Sequence, residues 1–338
     1  MHHKHRAVSL IATLLGIVLS AAYGDDIIVD SHNTSGPVTL HKFTNEGSQS
    51  INISTNPSYF HCNKEGHFII REAEKWYIGN VEALDLNPIS KIPVQPPSEH
   101  ISDAVISPKG GLIAWIDQNS LFVTVADSSQ TNAVYSFSTN GIISKASWSP
   151  TNPQIAFFYE NREEITGMYS LMMIDFAESK CPKQLTEPSF QSHLSLTQGF
   201  PPKWSPDGKK ILFEGRFDMK DKFGACYIYE IDSGNTLPTE FGKWASDSRG
   251  LYVRRELSSG DGYALYLLKF NPDGSLNEER VGSDKVVFPE TFWTFSVSPS
   301  GSRIAIAADE NVFIVDAKSG VLIEKYNCTV MSEIYWVR

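Results

Sequence analysis

Cysteine is scarce in this chain: Cys62, Cys181, Cys226 and Cys328 are the only four in 338 residues, and no two form a C-x-x-C pair. Thiols so few and so spaced make neither a disulfide scaffold nor the paired Cys and His pattern of a structural zinc site. Basic residues are in deficit too, with 29 Lys and Arg against 39 Asp and Glu and a formal net charge of −10. Coating nucleic acid requires a basic face that displaces counterions from phosphates, so nucleic acid is not an expected partner. Beyond the first two dozen residues no apolar stretch is long enough to cross a bilayer. The short chemical signatures are also missing. There is no G-x-S-x-G elbow, no H-E-x-x-H, no phosphate-cradling G-x-x-x-x-G-K-[ST] or G-x-G-x-x-G, and no D-x-[DN]-x-[DN]-G calcium loop. No cofactor, metal or catalytic residue is therefore nominated. Asp218, Asp221 and the Asp261-Gly262 pair read as solvated turn residues, and His61 and His67 as flanks of a turn rather than ligands.

What is present starts with a leader. Lys4 and Arg6 precede an apolar run from Ala7 to Ala22, followed by Tyr23, Gly24 and two aspartates. A basic start, an apolar centre and a small-x-small end make a secretory signal peptide over residues 1–24, too short for the roughly 20 residues of a membrane helix. The mature chain, 25–338, is expected as one exported domain, periplasmic or secreted, with no membrane segment. His2, His3 and His5 leave with the leader. Export permits disulfides, and a bridge between Cys181 and Cys226 is geometrically conceivable, whereas Cys62 reads as a buried thiol. The sequons at Asn33, Asn52 and Asn327 matter only in a glycosylating host.

At 41% hydrophobic and 12% aromatic, the chain can bury a large core, and self-comparison shows how. AVISPKGGLIAW from Ala104, ASWSPTNPQIAFF from Ala146, PKWSPDGKKILF from Pro202, GKWASDSRGLYV from Gly242 and FSVSPSGSRIAI from Phe295 are versions of one phrase. A worn copy begins at Tyr59, and Ile334 to Val337 opens another. The Trp-equivalent positions, Cys62, Ile106, Trp148, Trp204, Trp244, Val297 and Trp336, recur every 39 to 56 residues. A second phrase, a strand ending in Asp before a polar turn, keeps the same rhythm, as in MMIDFAESK at Met172 and FIVDAKSG at Phe313.

Pro presets φ and Gly supplies φ > 0, so Ser-Pro-Asp-Gly is a turn, and each unit becomes a four-stranded antiparallel meander. Such a sheet cannot bury both faces alone and must stack with its neighbours around an axis, with the Trp positions as packing between sheets. The expected fold is all-β, a β-propeller of seven blades, the last closed by both termini, with a six-bladed ring as the alternative. In the composite blade, IIVDSHNTSGPVTLHKF from Ile27 is expected as third strand, turn and outer strand, which leaves that blade without a middle strand.

Trp-Ser-Pro-Asp-Gly, an alternating strand and a later Ile-x-x-Asp strand together resemble the WD40-like propeller repeat of the TolB type. The resemblance runs from about Ile27 to Arg338 and is cleanest over Pro202 to Phe213. It implies the fold and little about function. The chain is expected as a stand-alone propeller without the substantial α/β domain that precedes the propeller in TolB, so TolB's partners are not carried over.

Function is then expected in the loops, which carry binding on rigid scaffolds. Where the second and third strands meet, three successive blades have enlarged connections, through Tyr159 to Glu164, Arg216 to Phe223 and Arg254 to Ser259, and a long inter-blade link runs from Glu187 to Pro201. Arginine and aromatic residues mix there, as at interface hot spots. The candidate partner-binding residues are Tyr159, Arg162, Glu163, Phe190, His193, Arg216, Phe217, Lys220, Arg254 and Arg255. The expected function is a monomeric, non-catalytic binding or scaffolding module for a protein, peptide or envelope component. The alternative is a propeller enzyme, a lyase, lactonase or glycan hydrolase, with dispersed residues at the mouth of the central channel.

Overall fold

The computed structural model describes residues 26–31, 38–44, 47–55, 57–81, 91–126, 133–163, 167–190, 200–215, 217, 225–260, 262–271, 275–282, 288, 292–308, 311–327 and 333–337. Every regular element among them is a strand. The first three are β1 (Asp26–Ser31), β2 (Val38–Thr44) and β3 (Gly47–Ser54). Six blades of consecutive strands follow. They are β4 (Tyr59–Cys62), β5 (His67–Glu72), β6 (Lys75–Asn80) and β7 (Ile92–Val94); β8 (Asp103–Ile106), β9 (Leu112–Asp117), β10 (Ser120–Val125) and β11 (Tyr135–Ser138); and β12 (Ile142–Trp148), β13 (Gln154–Glu160), β14 (Met168–Asp175) and β15 (Ser179–Gln184), with a short β16 (Ser189–Phe190) added to this third blade. The fourth is β17 (Lys203–Trp204), β18 (Lys210–Glu214), β19 (Cys226–Glu230) and β20 (Thr236–Thr239), the fifth β21 (Gly242–Trp244), β22 (Gly250–Glu256), β23 (Tyr263–Phe270) and β24 (Leu276–Arg280). The sixth is β25 (Phe292–Val297), β26 (Arg303–Ala308), β27 (Asn311–Asp316) and β28 (Leu322–Asn327), and β29 (Glu333–Val337) ends the chain.

A seventh four-stranded sheet, in the order β29-β1-β2-β3, joins the two ends of the chain. Ile28 lies opposite Trp336, so β1 is the second strand of this sheet and not its third. The expected gap is filled because Gly47–Ser54 supplies the outer strand, paired along β2 from Thr44 opposite Gly47 to Val38 opposite Ser54. That segment, GSQSINIS, has too little apolar alternation to stand out as a strand in sequence.

The core is divided among the junctions between sheets. Trp76, Ile101 and Trp115 fill the space between the first two blades, Trp204 joins Phe158 and Met173 between the third and fourth, and Trp244 joins Leu212 and Ile228 between the fourth and fifth. Ile334 and Trp336 pack on Ala305 and Ile314 of the sixth, while Val38 and Ile53 pack on Cys62 and Phe68 of the first, which closes the ring through the composite sheet.

Indole N–H groups align the inner strands. Trp148 Nε1 donates to the Val105 carbonyl at 3.0 Å, Trp204 Nε1 to Ser147 at 3.2 Å, and Trp244 Nε1 to Lys203 at 2.8 Å. In each pair the acceptor lies one residue before the Trp-equivalent position of the preceding blade. The Ser-Pro-Asp-Gly turn adds further links. Ser205 Oγ accepts from Lys210 N–H and donates to Asp207, Gly208 takes φ +71°, Thr151 Oγ1 of the third blade donates to the Asp207 carbonyl, and Asp207 N–H donates to Ser248 Oγ of the fifth. Ser107 and Ser298 make the same bond to Leu112 N–H and Arg303 N–H. The repeated serine thus satisfies a strand amide within each turn.

Candidate binding cleft

In a meander, the turns after the first and third strands lie on one face of the ring and those after the second and fourth on the other. The enlarged connections share the second face, and the structure opens a cleft there between the third and fourth blades. It has a volume of about 1020 Å³ and is walled by Tyr159, Asn161, Met168, Ser170, the stretch 184–188, Phe217, Tyr227 and Thr236.

A break in the outer strand of the third blade shapes one wall. β15 ends at Gln184, and pairing with β14 resumes only where Met168 faces Phe190 and Tyr169 faces Ser189 in β16. Pro188 lies within this interruption; proline has no N–H to give to a ladder. Across the break the backbone of β14 is still satisfied, since Leu185 N–H donates to the Leu171 carbonyl at 2.8 Å and Leu171 N–H donates to Thr186 Oγ1 at 3.1 Å. Gln184 Nε2 donates to the Thr186 carbonyl at 2.9 Å. The resumed strand approaches the fourth blade closely: a Cβ on Gly215 would stand 2.8 Å from Ser189 Oγ.

Glu160 orders the loop above the cleft. It is buried at 3% exposure, and its carboxylate accepts from Gly167 N–H at 2.5 Å and from the Tyr169 hydroxyl at 3.3 Å. Burial, and after it the Glu160 charge, pushes the Tyr169 hydroxyl up to about 12, so it stays a neutral donor to Glu160. Phe217 forms the opposite lip. It is 41% exposed and packs at steep angles on Tyr227, with centroids 4.8 Å apart at 80°, and on Phe213, 6.2 Å apart at 82°.

The predicted loop residues divide into three groups. Tyr159 and Phe217 both line the cleft, Tyr159 with its ring packed toward the second blade and its hydroxyl accepting from Thr139 Oγ1 at 3.1 Å; Arg162 and Glu163 lie exposed in the turn beside it, with Glu163 N–H donating to Asn161 Oδ1, and Phe190 belongs to β16. Arg254 and Arg255 fall outside the cleft's walls. Arg254 lies 4.5 Å over the Tyr263 ring, and Arg255 pairs with Glu240 and Glu278 and lies 4.9 Å over Tyr266. The hydrogen bonds that Arg255 donates to Glu240 raise its guanidinium above its ordinary range. His193, Arg216 and Lys220 lie outside the described residues, as do Asp218, Asp221, Asp261 and Cys328. Ser170, Gln184, Thr186, Tyr227 and Thr236, which also wall the cleft, sit on or beside third and outer strands where loop length gives no signal. Pro188 is the only mark of the break in the sequence.

Cys62 and Cys226 are buried thiols and Cys181 is an exposed one, none of them in a disulfide, so the conceivable Cys181–Cys226 bridge is not made. Burial pushes the Cys62 thiol up, and burial together with the Glu214 charge pushes Cys226 up to about 12, which keeps both unreactive while folded. Among the described residues no group of three or more His, Cys, Asp or Glu side chains is placed to hold a metal ion, and no helix is long and apolar enough to cross a membrane.

No protein-family model and no curated protein matches this sequence. Solved structures do resemble it. A functionally unknown protein from Desulfotomaculum acetoxidans superposes with a TM-score of 0.56 at 12% identity, covering 93% of this chain and 99% of that one. A protein from Lactobacillus plantarum gives 0.53 at 12%, covering 93% and 100%, and the periplasmic gluconolactonase PpgL of Pseudomonas aeruginosa gives 0.53 at 14%, covering 93% and 99%. At these identities the likeness is one of fold, and with the ring of meanders it defines the class: this chain is a β-propeller.

Proposed function

We propose that the chain is an exported, non-catalytic binding module of the TolB-like propeller type, and that it holds its ligand in the cleft between the third and fourth blades. The cleft itself carries this reading: a concave site of about 1020 Å³ at a junction between two rigid sheets, bounded by the enlarged loops. The buried Glu160 anchor and the Thr186 bond to Leu171 hold its walls in place before anything binds, which lowers the ordering cost of association.

A photo-cross-linking side chain placed at Glu187, in the wall of the cleft, tests the reading against the same group at Lys209, in a turn on the opposite face. Adducts formed in the protein's own compartment from position 187 and not from 209, and reduced by Phe217→Ala at equal stability, are expected. Equal labelling at both positions, or none at either, would overturn the proposal and turn attention to the mouth of the central channel.

A further inference from the structure

We infer that this cleft takes a neutral oligosaccharide. The inference rests on the binding-module reading and names the class of its ligand. A pyranose presents an apolar C–H face and a rim of hydroxyls that both donate and accept. Its receptor must therefore combine exposed rings with uncharged polar groups that are already oriented.

Both parts are in the walls. Phe217 and Tyr227 supply rings, and Phe217 keeps 41% of its surface in solvent while two aromatic neighbours fix its plane. The polar groups are amides and hydroxyls held by the fold. Gln184 donates through Nε2 to the Thr186 carbonyl at 2.9 Å, which holds its side chain, and an amide oxygen remains as an acceptor. Thr186 Oγ1 accepts from Leu171 N–H at 3.1 Å. A hydroxyl that accepts still carries its own hydrogen to donate.

Other ligand classes fit less well. Among the described walls Glu187 is the only charged side chain, so an anion finds no counter-charge and a cation finds a single carboxylate. A wholly apolar ligand would strip water from Gln184, Thr186 and Asn161 without replacing it. An extended peptide binds by adding a strand to a continuous edge, and this edge is broken between Gln184 and Ser189, with Leu185 and Thr186 already occupying the groups of Leu171. The volume stands at the top of the range of about 300–1,000 Å³ usual for small-molecule sites, which suits more than one sugar ring.

Calorimetric titration of the full mature chain with cellotriose, maltotriose and chitotriose, and separately with trigalacturonate, is the test. At least one neutral trisaccharide is expected to bind at sub-millimolar concentration. Phe217→Ala should weaken that binding at least tenfold and Phe217→Tyr should restore it. Lys209→Ala, on the opposite face, should bind as the parent does, and all variants should keep the parent melting temperature. Failure of all three neutral sugars, binding of trigalacturonate alone, or an unaltered Phe217→Ala would overturn the inference. If position 187 still cross-links a partner while the sugars fail, the binding module stands and its ligand is of another class; if both fail, both readings fall.

Discussion

Tryptophan is the residue that ties one blade to the next, because its ring fills the junction while its N–H reaches an inner-strand carbonyl of the preceding blade. Trp204→Phe keeps most of the apolar area but leaves the Ser147 carbonyl without its indole donor, and it should cost about 1–3 kcal/mol in urea denaturation. Trp204→Ala adds a cavity and should cost about 3–5 kcal/mol. The glycines of the turns offer a matched pair. Gly208 and Gly260 have φ of +71° and +74°, but a Cβ at Gly208 would fall 2.1 Å from Thr151 Oγ1 whereas one at Gly260 meets nothing within 4 Å. Gly208→Ala should therefore destabilise by more than Gly260→Ala, whose cost of about 1 kcal/mol is backbone strain alone. Asp316 gives a pH signature. Burial works against its ionisation, but the amides of Ser319 and Lys318 and the Ser319 hydroxyl outweigh that and hold its carboxyl below the ordinary range. A depressed folded value stabilises at neutral pH and is lost as pH falls through it, so the stability gap between the parent and Asp316→Asn should shrink on acidification below the ordinary carboxylate range and be level through neutral pH.

The strand is the unit at which the sequence was most legible and the cleft least. Each inner strand ends at its Trp-equivalent position, from Cys62 in β4 to Val297 in β25, because the turn that follows carries its own signal in proline, aspartate and glycine. The Asp-terminated phrase likewise marks the end of third strands, as at Asp175 and Asp316. Outer strands are another matter: β3, β15 and β24 are largely polar in sequence, and β15 and β24 face solvent, so no hydrophobic period announces them; the break after β15 shows in the sequence only as Pro188. The loops of the fourth blade identified Phe217 through their length, but Thr186 and Gln184 emerge only when the sheet is folded. At this scale, Thr186→Val removes the acceptor for Leu171 N–H inside a buried edge and should cost about 1–3 kcal/mol by denaturant titration, whereas Thr186→Ser should cost less than 1 kcal/mol.

The whole molecule depends on its last strand. β29 is the inner strand of the closing sheet, and Ile334 and Trp336, at 1% and 4% exposure, complete the core against the sixth blade. Deleting residues 333–338 should uncover that core along with the edge of β1, and the shortened chain should melt at least 10 °C lower and in a broader transition by calorimetry, since each blade relies on the interface with its neighbours.

The same closure sets the first and last described strands next to each other, five residue pairs of β1 and β29 lying side by side. Where the chain is cut is then independent of where the ring is held together. Joining the ends by a short flexible linker and opening the chain instead in the exposed stretch around Gly260 should give a permuted protein with the same sheets in the same order, its seam moved from the composite blade to the fifth.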